Sequence, residues 1–168
     1  MYNVGDYVVY GMHGVCAVTD LETRTVDRKK VTYLVLEPVG QEGARYLVPT
    51  HNASAMSKLR QILSREELEK LLCSSQVHAD GWIADENHRK QAYRELINSG
   101  DPVRLLQMVR ALYQHRESQL SAGKKCHICD ENFLRDAERQ IIGEISMVLE
   151  LSREEAKAYL KRKLKEDA

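Results

Sequence analysis

A chain of 168 residues, with 25 basic and 25 acidic side chains and a 43% apolar fraction, has enough material for one compact domain or two small ones, each with a real core. A formal net charge of zero counts against coating of nucleic acid by bulk electrostatics, although not against a local basic face. No apolar run suits a membrane span, Met1-Tyr2-Asn3-Val4-Gly5-Asp6 lacks a signal-peptide pattern, and the four scattered cysteines make no secreted disulfide framework, so a cytoplasmic chain with free thiols is expected.

From Val4 to Pro49 the apolar residues recur with period two, in short runs of valine, tyrosine and leucine broken by glycine and charge. Strands are expected over Val4 to Tyr10, Val15 to Thr25, Val31 to Glu37 and Ala44 to Val48. The turn Gly11-Met12-His13-Gly14 separates the first two, and Val26 to Lys30 the next two. Four or five short antiparallel strands make a small bent sheet of the SH3 or Tudor kind. After Pro49 the period changes. Ser64-Arg65-Glu66-Glu67 is a capping box that opens a helix through Leu68, Leu71 and Leu72, expected to pack beside the sheet. Cys73 to Gly81 then loses periodicity and reads as a linker.

The rest is helical in pattern. Asp85 to Asn98 carries an apolar stripe of Ala92, Tyr93, Leu96 and Ile97, and Ser99-Gly100 ends it. Asp101-Pro102 starts a second helix as N-cap and first residue, with Val103, Leu105, Leu106, Val109, Leu112 and Tyr113 at helical spacing. A polar break over Ser118 to Lys125 leads to a long helix, Cys126 to Leu149, whose expected inner face holds Ile128, Phe133, Leu134, Ala137, Ile141, Ile142, Ile145 and Leu149. A second capping box, Ser152-Arg153-Glu154-Glu155, opens the last helix. The expected fold class is therefore α+β. A β domain over 1–56, with a packing helix to about 73, is joined by a linker over 74–81 to a bundle of four to five helices over 82–168.

Few residues suggest chemistry. There is no glycine-rich phosphate loop, nucleophile motif or paired-carboxylate pattern, so neither catalysis nor a cofactor is expected. His13 and His51 read as turn or surface histidines. Cys126-His127-Ile128-Cys129 lacks the second ligand pair of a structural zinc site, which makes zinc or redox chemistry the weaker reading of that motif. More pointed is the chain's only tryptophan, Trp82, just ahead of a run that holds Arg89, Lys90 and Arg94. Such an aromatic suits a wedge against nucleic acid, with the cations on phosphates, and equally a packing residue at a domain junction. Lys124-Lys125 falls in a break between helices, where lysines can reach a phosphate near a helix N-terminus. A small open sheet also offers an edge for a partner strand.

The opening Val4-Gly5-Asp6-Tyr7-Val8-Val9-Tyr10-Gly11-Met12-His13-Gly14-Val15, with Tyr33-Leu34-Val35-Leu36 and Val48-Pro49, resembles the RNA-polymerase-interacting domain of the CarD (CdnL) bacterial transcription regulators, a domain shared with the transcription-repair coupling factor. Ser99-Gly100-Asp101, Leu120-Ser121-Ala122-Gly123-Lys124-Lys125 and Ala137-Glu138-x-x-Ile141-x-x-Glu144-Ile145 resemble the same family's helical domain. The resemblance covers almost the whole chain.

It implies a non-enzymatic factor that docks on the β1 lobe, or protrusion, of the polymerase β subunit and reaches promoter DNA at the upstream edge of the melted bubble, stabilising the open complex. Carried over residue by residue, it makes Trp82 the minor-groove wedge and Arg89, Lys90, Lys124 and Lys125 the backbone contacts. Arg24 matches a polymerase-facing arginine. The second such arginine, just before Val-Pro in some members, is replaced by Leu47, for which Arg45 on the same strand face is the expected substitute. Compared with one pattern in the family, about one extra helical turn separates Trp82 from Ser99-Gly100-Asp101, a shift of about 5 Å along a helix axis. A cytoplasmic monomer that binds polymerase and DNA but no membrane is the leading expectation. The alternative is a protein-interaction adaptor without direct DNA contact.

Overall fold

In the computed structural model, which describes residues 1–165, strands give way to helices after Gln61. The chain divides into two units, Met1–Ile62 and Leu63 onward. The expected α+β class, a small antiparallel sheet followed by helices, is the one observed.

The first unit is built around a long hairpin, β2 (Val15–Val26) and β3 (Lys29–Pro38), with β1 (Tyr7–Tyr10), β4 (Tyr46–Pro49), β5 (Leu59–Gln61) and the short α1 (Ala53–Met56) around it. The sheet order is β4-β3-β2-β1-β5, with every neighbouring pair antiparallel. Asp27 and Arg28 close the hairpin with φ of 49° and 63°, the positive pair that a two-residue turn needs to match the strand twist. Period two then sorts the side chains: Val8, Cys16, Val18, Leu34, Leu36, Val48 and Leu59 form the buried face. A bulge between Val18 and Asp20 lets β2 keep that register while its outer half runs beyond the core. The first strand is shorter than expected. Asn3 to Asp6 instead form a turn, the Asp6 carboxylate accepting the Asn3 N–H at 2.7 Å, and β1 starts at Tyr7.

The second unit contains α2 (Arg65–Leu72), α3 (Ser75–His78), α4 (Glu86–Ser99), α5 (Pro102–Ser121), α6 (Ile128–Leu149) and α7 (Arg153–Lys165). Here the expected boundary is corrected. Helix α2 belongs to the helical unit: Leu68 and Leu72 are part of its core, and the Leu63 N–H donates to Glu144 of α6 at 2.9 Å. The expected linker over 74–81 is also partly structured. The Ser74 hydroxyl caps α3 by accepting the Val77 N–H at 3.3 Å, and Val77 is fully buried in the same core. A single helical turn with one apolar residue has no period to detect, which is why composition alone reads it as a loop. The four longer helices α4 to α7 are those expected, with α5 running on to Ser121 through the polar stretch.

Candidate nucleic-acid and polymerase interfaces

On α4 the buried positions are Arg89, Tyr93, Leu96 and Ile97, and on α6 they include Asp130, Leu134, Ala137, Ile141 and Ile145. Arg89 and Asp130 thus each begin an apolar stripe at helical spacing, and the fold points them at each other. Their contact is a two-pronged ion pair: Arg89 Nε donates to Asp130 Oδ1 at 2.9 Å and Nη2 donates to Oδ2 at 3.1 Å. The remaining terminal nitrogen, Nη1, donates to the Ile83 carbonyl at 2.9 Å and to the Ala84 carbonyl at 3.3 Å. Arg89 is 4% exposed and its donors are turned inward, so the expectation that it is a surface cation ready for a phosphate is corrected.

What this arginine holds is the segment that carries Trp82. The guanidinium carbon lies 4.5 Å from the indole centroid, and the His115 ring of α5 stacks on the indole at 3.7 Å between centroids and 14° between planes. Trp82 is half-buried and packs against the helical core, not at the start of a helix. It stands in irregular chain three residues before Asp85, the N-cap of α4, whose carboxylate accepts the His88 N–H at 2.7 Å. Upstream, the Asp80 carboxylate accepts the Trp82 N–H at 3.0 Å. Gly81 lies so close to α5 that an added Cβ would stand 2.7 Å from Gln107 Cγ, so any other residue there would have to displace the Gln107 side chain. Burial is the first cause that holds the His115 imidazole below its ordinary pKa, with Arg89 and His127 acting in the same direction and Asp130 against it.

The two lysines lie on the turn that follows α5, the helix that supplies His115. Beyond the end of helix α5 at Ser121, Gly123 has a φ of 69°, and its N–H reaches the Leu120 carbonyl at 3.0 Å while the Lys124 N–H reaches that of Gln119 at 2.9 Å. That glycine-dependent cap ends the helix and leaves Lys124 and Lys125 exposed. Cys126, the residue directly after them, lines one small cavity with His115 and Asp130. Arg116 and Glu131, 3.3 Å apart, tie the two helices across the same turn. Lys90 is partly exposed and pairs with Glu86 one turn earlier at 2.6 Å, an exchangeable surface pair.

Ile128, expected on the inner face of α6, is 79% exposed. It lies two residues, about 200° of helix, from Asp130, which begins the buried stripe. Among the described residues no group of three or more His, Cys, Asp or Glu side chains could hold a metal ion. Burial, followed by the Glu131 carboxylate, raises the pKa of Cys126.

In the sheet unit the register gathers the other predicted residues on the face opposite the core. Glu22 pairs with Tyr33, Asp20 with Val35, and Val35 with Leu47, so Arg24, two residues beyond Glu22, shares their face. Arg45, just before β4, reaches back to Glu37 at 3.6 Å, and Arg24 meets Glu22 at 2.9 Å. Both arginines are about half exposed, and Leu47 of β4 is half-buried.

The positioning groups His115, Asp130 and Gln107 escaped the sequence reading, yet one signal was present: an arginine and an aspartate each at a core position of its own helix call for each other. Residues 2–60 match the CarD-like/TRCF RID domain, and residues 67–161 match the CarD C-terminal domain. Among the described residues no helix is long and apolar enough to cross a membrane. With both matches in order and covering most of its length, the chain belongs to the CarD family of non-enzymatic transcription factors that interact with RNA polymerase.

Proposed function

We propose that this protein stabilises the open promoter complex, docking on the polymerase β subunit through the sheet face that carries Arg24, Arg45 and Leu47 and meeting promoter DNA with Trp82, Lys124 and Lys125 at the upstream edge of the bubble. The observation that carries this reading is the mounting of the only tryptophan. Its indole is held from within by Arg89 and His115, beside an exposed turn whose two lysines have no ion pair among the described residues. Lysines so placed fix position on phosphates without reading sequence, while the aromatic meets the minor groove. The thermodynamic logic is linkage. A factor that binds open promoter better than closed promoter shifts the balance by its differential affinity, and no bond need be made or broken. A deformed, partly unstacked step is least costly at the fork, so the wedge favours DNA already melted there.

Footprinting of a polymerase–promoter complex with and without the protein tests the reading. New protection confined to the upstream edge of the bubble is the expected result. A footprint unchanged despite bound protein would favour an adaptor that touches polymerase alone, and the weak salt dependence of such an adaptor would separate it further from a DNA-contacting factor.

A further inference from the structure

We propose that Arg89 and His115 are positioning residues that present Trp82 edge-first to DNA, and that Arg89 itself takes no phosphate; the inference rests on the wedge reading above and gives it a geometry. Arg89 is 4% exposed and donates four hydrogen bonds inward, two to Asp130 and one each to Ile83 and Ala84. Reaching a phosphate would require it to abandon a buried carboxylate and two carbonyls, a poor exchange for one exposed partner. Its bonds to Ile83 and Ala84 instead fix the backbone immediately after Trp82, and its guanidinium lies over the indole.

His115 sets the orientation. Bases in a duplex stack about 3.4 Å apart, so a step opened for one ring cannot admit two. An indole already stacked on an imidazole at 3.7 Å cannot slide between bases without breaking that stack. Kept in place, the pair is thick and stiff, and its free indole edge is what the minor groove meets. The device thus blocks reclosure of the fork as a wedge and not as an intercalator.

The chain's single tryptophan makes the arrangement observable, since its emission and near-ultraviolet dichroism report one site. The test pairs those signals with open-complex lifetime and with the slope of DNA affinity against salt, in the full-length protein. Arg89→Lys keeps the charge but loses the planar fork. The inference expects altered Trp82 signals and a lifetime shortened severalfold, at an unchanged salt slope. If Arg89 held a phosphate, lysine would serve nearly as well and the lifetime would be kept. The double variant Arg89→Met with Asp130→Leu replaces the buried pair by apolar groups and leaves net charge unaltered. The same outcome is expected, whereas a slope reduced by about 0.9 would show that Arg89 had been neutralising a phosphate and overturn the inference. His115→Ala should shorten the lifetime severalfold and His115→Phe should restore it, because a flat ring suffices. Equal lifetimes for wild type and His115→Ala would also overturn it. Trp82→Ala separates the two levels: if that variant has wild-type lifetime the wedge reading itself fails, and if it alone shortens the lifetime only the positioning inference fails.

Discussion

Two parts of this chain carry exposed basic side chains, and they are built in opposite ways. On the sheet, Arg24 and Arg45 stand about half exposed, each leaning on one surface glutamate, Glu22 or Glu37. In the helical unit the arginine over the aromatic is withdrawn into the core on Asp130, and exposed lysines, Lys124 and Lys125, follow Gly123 on the turn after α5. The difference teaches that charge in a run and charge in an interface are separate properties. Surface pairs can be exchanged for a partner's carboxylates at little loss, whereas a buried pair is committed to the fold and can serve binding only through what it holds.

The sharpest way to break that comparison is to delete one member of each pair. Removing Asp130 as Ala leaves a buried guanidinium uncompensated and should destabilise the helical unit by about 3–5 kcal/mol, read as a lower urea midpoint by Trp82 emission. Glu22→Ala should leave the midpoint of the sheet unit unchanged. If both substitutions moved their midpoints equally, the distinction between the two regions would be lost. Next in size is docking. Reversing Arg24 and Arg45 together to glutamate should weaken polymerase binding by about tenfold or more, measured by titration, while affinity for promoter DNA alone stays at the wild-type value.

Smaller effects sharpen the helical side. Replacing Lys124 and Lys125 together by alanine should lower the salt slope of DNA affinity by about 1.8, about 0.9 for each phosphate no longer neutralised, and should do so alike on different promoter sequences. Smallest is a pH effect. His115 is held below the ordinary imidazole pKa mainly by burial, with Arg89 and His127 assisting and Asp130 opposing. The unfolded chain therefore binds its proton first, and this group's contribution to stability is lost as pH falls through the ordinary value of about 6.5 toward the folded one. A titration of Trp82 emission should show a step with its midpoint below that value, and His115→Phe should abolish it.

Much of the architecture was readable from the residues because it is written in periods. The alternation of Leu34 to Leu36 against Val18 and Val48, the two capping boxes and the Asp101-Pro102 start each determine local structure by a near-neighbour rule. The packing partner of α2 and the existence of α3 are illegible for a complementary reason. Whether Leu68 and Leu72 cover a sheet or a bundle depends on where the chain turns next, and Val77 is a single residue without a repeat. The candidate site divides in the same way. Trp82 and the lysines are conspicuous by composition, but the roles of Arg89, His115 and Asp130 arise from three segments brought together by folding, which no local spacing encodes.

The most direct measurement is the lifetime of open complexes formed with saturating wild-type protein or with Trp82→Ala, followed after addition of a competitor that traps free polymerase. The account predicts a clearly shorter lifetime for the variant, with its affinity for polymerase unchanged because Trp82 lies outside the sheet unit. Equal lifetimes at equal occupancy would contradict it.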